Sequence, residues 1–131
     1  MSLNNIEDIA AFIVADGKGI LAADESNPTC GKRFDSIGVE STEENRRDYR
    51  ELLFRSKGMK DNIGGVILFD ETIRQSAKDG TLLRDLIKDQ GALPGIKVDK
   101  GLQPLEDCLG ETVTVGSVSY THLTLPTTEA V

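Results

Sequence analysis

The sequence is poor in the residues that build metal centres, disulfide frameworks and basic binding surfaces. It holds one histidine, His122, and two cysteines, Cys30 and Cys108, far apart and with no CxxC pair. That inventory fits neither a zinc site nor a disulfide framework, and it suits a cytoplasmic protein with reduced thiols. There is no excess of cations: 15 Lys and Arg face 22 Asp and Glu, a net charge of −7 at pH 7. General nucleic-acid binding and attraction to anionic membranes are therefore not expected. No apolar run approaches the ~20 residues that a spanning helix needs. The N-terminus, MSLNNIEDIAAFIVADG, has no basic start and no small-residue cleavage site, and it carries Glu7 and Asp8, which a transit peptide avoids. Sequence-identical repeats and low-complexity segments are missing too. What remains is a chain of 131 residues, 38% hydrophobic and 28% charged, enough for one small globular domain.

Residues 3–15 place Ile6, Ile9, Ala10 and Ile13 at helical spacing, with Asn4 or Asn5 as cap and Asp16-Gly17 as stop. A first strand over 19–24 follows, then a loop to Ser41. Ser41 and Glu44 have the capping-box spacing. The helix they open, 45–57, shows Tyr49, Leu52 and Leu53 on one face and Arg46, Arg47 and Arg50 on a solvated or ion-paired side. Gly58 ends it. The continuous apolar run 63–69 reads as a strand buried on both faces. A helical turn over 72–77 and a helix over 81–90, with Leu83, Leu86 and Ile87 inward, lead to a third strand over 92–99. Pro94 stands at its start, where no ladder donor is needed. Lys97 and Asp99 are two apart and share one face, a charged pair aimed at a site or joined as a structural ion pair. The order helix, β, α, β, α, β is that of a parallel βαβ architecture.

Everything is organised around GKGILAADESNPTCGKR, residues 17–33. A short apolar run stops on Asp24 and Glu25. Small polar residues and two cations, Lys32 and Arg33, come next. A carboxylate at a strand tip can orient a hydroxyl, and hydroxyls, backbone N–H groups and cations together can hold a phosphate; the other reading of the stretch is a core strand with a solvated loop.

These residues resemble class I fructose-bisphosphate aldolase. The likeness lies in GKGILAADES (17–26), ESTEENRRDYRELL (40–53), GGVILFDET (64–72), PGIKVDKG (94–101) and GETVTVG (110–116), in that order and spacing. The resemblance implies an α/β fold, the N-terminal part of a (β/α)₈ TIM barrel with about three β/α units. It implies metal-independent, reversible cleavage of fructose 1,6-bisphosphate to dihydroxyacetone phosphate and glyceraldehyde 3-phosphate, through a lysine Schiff base and with no cofactor. Residue by residue, it makes Asp24 the catalytic carboxylate and Lys97 an active-site cation near a substrate phosphate. Ser26, Thr29 and Arg33 fall at phosphate-binding positions. It further implies a sugar phosphate as the small-molecule partner, a homotetramer in the full-length family, and neither nucleic-acid nor membrane partners. The Schiff-base lysine of the family has no counterpart in this chain; Lys32, Lys97 and Lys100 do not take its place.

Residues 117–131, SVSYTHLTLPTTEAV, match nothing in the family and read as an out-of-family tail, the competing reading being an ordinary strand. A barrel of this type needs about 250 residues. Three strands cannot close, so the stretch alone is expected to be marginally stable and inactive. A non-catalytic truncated fragment or interaction module is the alternative function, and an unrelated phosphate-binding barrel fragment is a more distant one.

Overall fold

A computed structural model describes residues 3–116. The chain divides into two compact units, residues 1–95 and 96–131, and each is described by itself.

In the first unit, α1 (Ile6–Ile13) is capped by Asn5, whose Oδ1 accepts the Asp8 N–H at 2.7 Å. The helix is shorter than the periodicity suggests, and none of its residues is buried. Ile6 is exposed, and only the C-terminal end of the apolar stripe, at Ile13, closes on the sheet. Next comes β1 (Gly19–Leu21), which pairs in parallel with β2 (Ile63–Leu68): Gly19 faces Ile63, Ile20 faces Gly65 and Leu21 faces Val66, with an irregularity after Gly19. The sheet order is β1-β2-β3, with β3 at Leu93–Ile96. β1 ends three residues before the expected strand end at Asp24. The chain leaves the ladder there, and the Asp24 side chain itself takes the Phe69 N–H at the end of β2.

The expected loop after Asp24 contains a helix, α2 (Asn27–Asp35). Its signals are Ser26 at the N-cap and Pro28 in the first turn, where a missing N–H costs nothing. Cys30 and Phe34, four apart, supply the buried face, while Lys32 and Arg33 in the last turn complement the helix dipole. Phe34 meets Tyr49 edge to face, with ring centroids 5.6 Å apart, which ties α2 to α3 (Glu43–Phe54). The cap of α3 is Thr42 rather than Ser41: Thr42 Oγ1 accepts the Asn45 N–H at 3.1 Å. Removing that hydroxyl with Thr42→Ala is expected to cost about 1 kcal/mol, read as a lowered urea midpoint with unchanged slope.

The inward stripe of α3 is Arg46, Tyr49, Arg50, Leu53 and Phe54, and Leu52 is 76% exposed. Arg46 and Arg50 are ion-paired, but from the inward face and not from a solvated one. Gly58 does not end this helix. It opens a separate turn of helix, α4 (Gly58–Asn62), which buries Met59. β2 is buried at every interior position except Ile67, whose outer face is 38% exposed. α5 (Asp70–Arg74) follows β2 at once, and α6 (Leu83–Asp89) buries Leu83, Leu86 and Ile87, as its spacing predicts. With Cys30, Phe34, Phe54, Met59, Val66, Leu68, Ile73, Ala77 and Ala92 these three make the core.

In the second unit, β4 (Asp99–Pro104) and β5 (Thr112–Gly116) form an antiparallel hairpin. The expected third strand is thus split: β3 stops at Ile96, and Asp99 belongs to a different sheet. The reason lies in the sequence, since KVDKG has only one apolar residue to bury. Among the described residues the fold is α/β, with a parallel β1–β2 pair and no closed barrel. The segment read as an out-of-family tail lies outside the described residues.

Candidate functional site

Four polar groups of the first unit converge on one guanidinium. Arg50, on the inward face of α3, is 2% exposed. Its Nε donates to Asp24 Oδ1 at 2.9 Å, Nη1 to Glu71 Oε2 at 2.6 Å and to Gln75 Oε1 at 3.0 Å, and Nη2 to the Glu25 carbonyl at 3.4 Å. Asp24 lies three residues past the end of β1, and Glu71 is at the start of α5, just past β2. α3 therefore clasps the C-terminal ends of two parallel strands through one side chain.

The second oxygen of Asp24 accepts the Phe69 N–H at 2.7 Å, and the Asp24 side chain is closed off from solvent. Arg46, one turn before Arg50, forks onto Glu71 with bonds of 3.0 and 2.7 Å and also donates to the Ser41 carbonyl. Two cations thus face two carboxylates and the cluster is formally neutral. Burying charges costs several kcal/mol per ion, offset only where the geometry is good and the remaining donors are used. Four of the five N–H groups of Arg50 are used here. Gln75 Nε2 is buried without a partner among the described residues, while the buried Thr72 hydroxyl makes no well-aligned hydrogen bond but lies close enough to Asp24 to act on its carboxylate.

The two carboxylates are displaced in opposite directions. The hydrogen bond from Arg46, with a lesser one from Arg50, holds Glu71 below its ordinary 4.5 against the rise from burial, which is second only to the Arg46 bond. Burial pushes Asp24 above its ordinary 3.8, while the Thr72 hydroxyl, the Phe69 N–H and Arg50 pull the other way. The signs follow by linkage. Glu71 contributes stability that is present above its unfolded value and is lost as pH falls through its lowered folded value. Asp24 contributes in the reverse sense: its part is present at low pH and is lost as pH rises through its raised folded value. Carboxyl ¹³C NMR is expected to show Asp24 titrating above 3.8 and Glu71 below 4.5, with Arg46→Met returning Glu71 towards its ordinary value. Two midpoints at the ordinary values would contradict this.

The remaining sequence-predicted residues fall in two places. Ser26, Thr29 and Arg33 lie at i, i+3 and i+7, so α2 lines them up on one stripe, which the expected loop would not have done. Ser26 Oγ and Thr29 Oγ1 are 3.3 Å apart, and Arg33 Nε bonds Glu25 Oε1 at 2.9 Å. Lys97 belongs to the second unit. Its Nζ pairs with Asp99 Oδ1 at 2.5 Å, both side chains being about two-fifths exposed. That pair is an ion pair, one of the two readings the spacing left open. Sequence reasoning missed Arg50 and Glu71 as members of the cluster. The signal was there in the i, i+4 spacing of Arg46 and Arg50 on a helix that faces two strand-end acids. Among the described residues no helix is long and apolar enough to cross a membrane.

Comparison with known proteins settles the family. The family described as "Fructose-bisphosphate aldolase class-I" matches residues 5–123. The chain belongs to the class I fructose-bisphosphate aldolase family. The family match runs past residue 116, where the motif-based likeness ends. The chain is 54% identical over 116 residues to "Probable fructose-bisphosphate aldolase class 1" of Xanthomonas campestris, covering 88% of this chain and 35% of that protein. It is 58% identical over 112 residues to fructose-bisphosphate aldolase C of Carassius auratus, covering 85% and 31%. A solved Plasmodium falciparum fructose-bisphosphate aldolase, in complex with TRAP and a small-molecule inhibitor, superposes with a TM-score of 0.75 at 48% identity, over 82% of this chain and 31% of that one. The chain therefore spans about a third of the length of the aldolases it matches.

Proposed function

We propose that this chain carries the early β/α units of a Schiff-base aldolase that reversibly cleaves fructose 1,6-bisphosphate into dihydroxyacetone phosphate and glyceraldehyde 3-phosphate. In this reading Asp24 orients or deprotonates the hydroxyl beside the breaking bond, a task suited to a carboxylate because it accepts a proton as the carbonyl forms. Ser26, Thr29 and Arg33 hold a substrate phosphate, and Lys97 supplies a cation to the active site. No metal takes part. The working protein is a cytoplasmic homotetramer.

The observation that carries the reading is the placement of the AADES aspartate: buried, hydrogen-bonded on both oxygens, and just beyond the C-terminal end of a parallel strand. Barrel enzymes build their active sites at that end. The stripe on α2 adds support. Two hydroxyls stand near the helix N-terminus and a guanidinium one turn further on, a set of donors that suits a phosphate.

No lysine of this chain takes the Schiff-base position, so the stretch is inactive alone. The test compares two molecules in a coupled cleavage assay. The chain as it stands is expected to show no turnover above buffer. The product of the open reading frame continued past residue 116 into further aldolase strands is expected to turn over, and Asp24→Asn in it is expected to lose about 10²–10⁴-fold in kcat. Turnover by the chain alone would contradict the assignment of the nucleophile to the missing strands. An unaffected Asp24→Asn variant would contradict the role of Asp24.

A further inference from the structure

A catalytic carboxylate must present a fixed lone pair, and an aspartate side chain alone rotates too freely to do so. Here both oxygens are held from outside the Asp24 segment. Oδ2 is fixed by the Phe69 N–H at the end of β2, and Oδ1 by Arg50 Nε from α3. These two bonds set the plane of the carboxylate, with the Thr72 hydroxyl beside it. Arg50 is itself immobilised. Glu71, Gln75 and the Glu25 carbonyl take its remaining bonds, and Gln75 is 7% exposed. A guanidinium so committed and so deeply buried has no fork left to offer a substrate phosphate. That separates it from Arg33, which is 61% exposed and bonds Glu25 through Nε.

We propose that Arg50 is a positioning residue: with the Phe69 N–H it fixes the plane of the Asp24 carboxylate, and it never touches substrate. The proposal rests on the role assigned above to Asp24. Lysine could not replace it. An ammonium would keep the charge but could not bond Asp24, Glu71 and Gln75 at once along fixed directions.

The test has an arm that needs no variant and no activity. In the chain as it stands, the Arg50 Nε–H proton resonance should shift with the Asp24 midpoint, because Nε bonds that oxygen. A resonance that follows Glu71 alone, or neither carboxylate, would overturn the proposal. In Arg50→Gln the Asp24 midpoint should rise by about one pH unit. In Arg50→Lys it should rise less, while the Phe69 amide proton still moves as the carboxylate reorients. Unchanged Asp24 and Phe69 signals in a folded variant would overturn it. If both variants unfold, the wild-type arm decides. In the full reading-frame product, Arg50→Lys should lower kcat about 100-fold, with KM within about twofold of the unmodified protein. A raised KM with unchanged kcat would overturn the positioning role. If that product does not cleave fructose 1,6-bisphosphate at all, the functional reading fails, and the resonance titration still decides how Asp24 is held.

Discussion

Gly64→Ala is expected to abolish the native fold of the first unit. A Cβ at Gly64 would sit 2.1 Å from the Ile13 carbonyl oxygen and 2.8 Å from its carbon. Both atoms are backbone at the end of α1, so no rotamer change relieves the clash; the helix would have to lift off the sheet. Overpacking typically costs 1–3 kcal/mol, and a backbone obstacle places this case above about 3 kcal/mol. Gly65 supplies the control. A Cβ there meets the Ile13 side-chain methyl at 3.1 Å, which a side chain can yield. Gly65→Ala is expected to cost about 1 kcal/mol. Circular dichroism and amide dispersion in NMR should show Gly64→Ala unfolded and Gly65→Ala native. Equal behaviour of the two would mean that α1 does not lie on β2 as described.

The second large effect is the removal of the guanidinium. Arg50→Met deletes one cation and leaves Asp24 with no charged partner inside a solvent-free environment, while Glu71 keeps Arg46. Breaking one partner of a buried pair costs about 3–5 kcal/mol, because the other charge stays buried and uncompensated. In a small domain that is a large share of the whole stability. The loss should be smallest at low pH, where Asp24 is protonated and needs no counter-charge. Arg47 offers the contrast. It pairs with Asp48 and Glu44 on the outer side of the same helix, where solvent screens the attraction. Arg47→Met should leave the denaturation midpoint almost unchanged.

The alternation of elements was legible because it rests on the strongest signals. The continuous run 63–69 has the length and branching of a buried strand. Leu83, Leu86 and Ile87 sit where a helix of period 3.6 must bury them. The misses have physical causes. α2 reads as loop in the sequence because Gly31, Asn27 and two cations dilute an apolar face that consists of Cys30 and Phe34 alone. The inward face of α3 was misjudged because hydrophobic patterning counts arginine as outward, and here the two strand-end acids pull Arg46 and Arg50 in while Leu52 is left outside. The cap of α3 slipped by one residue because Ser41 and Thr42 carry the same hydroxyl; the Ser41 carbonyl instead accepts from Arg46. Of the candidate site, Asp24 was legible from its place after an apolar run. Its partner was not, because a contact across 26 positions in sequence leaves no trace in local periodicity.

The most direct measurement is a double-mutant cycle between Asp24 and Arg50, with Asp24→Asn and Arg50→Met alone and together, read as unfolding free energies. A clasp of α3 onto the strand ends predicts strong non-additivity, with the double variant more stable than the sum of the two losses by about 1–3 kcal/mol. Additive losses would show that the guanidinium and the carboxylate do not hold one another, and the account of the site would fall with them.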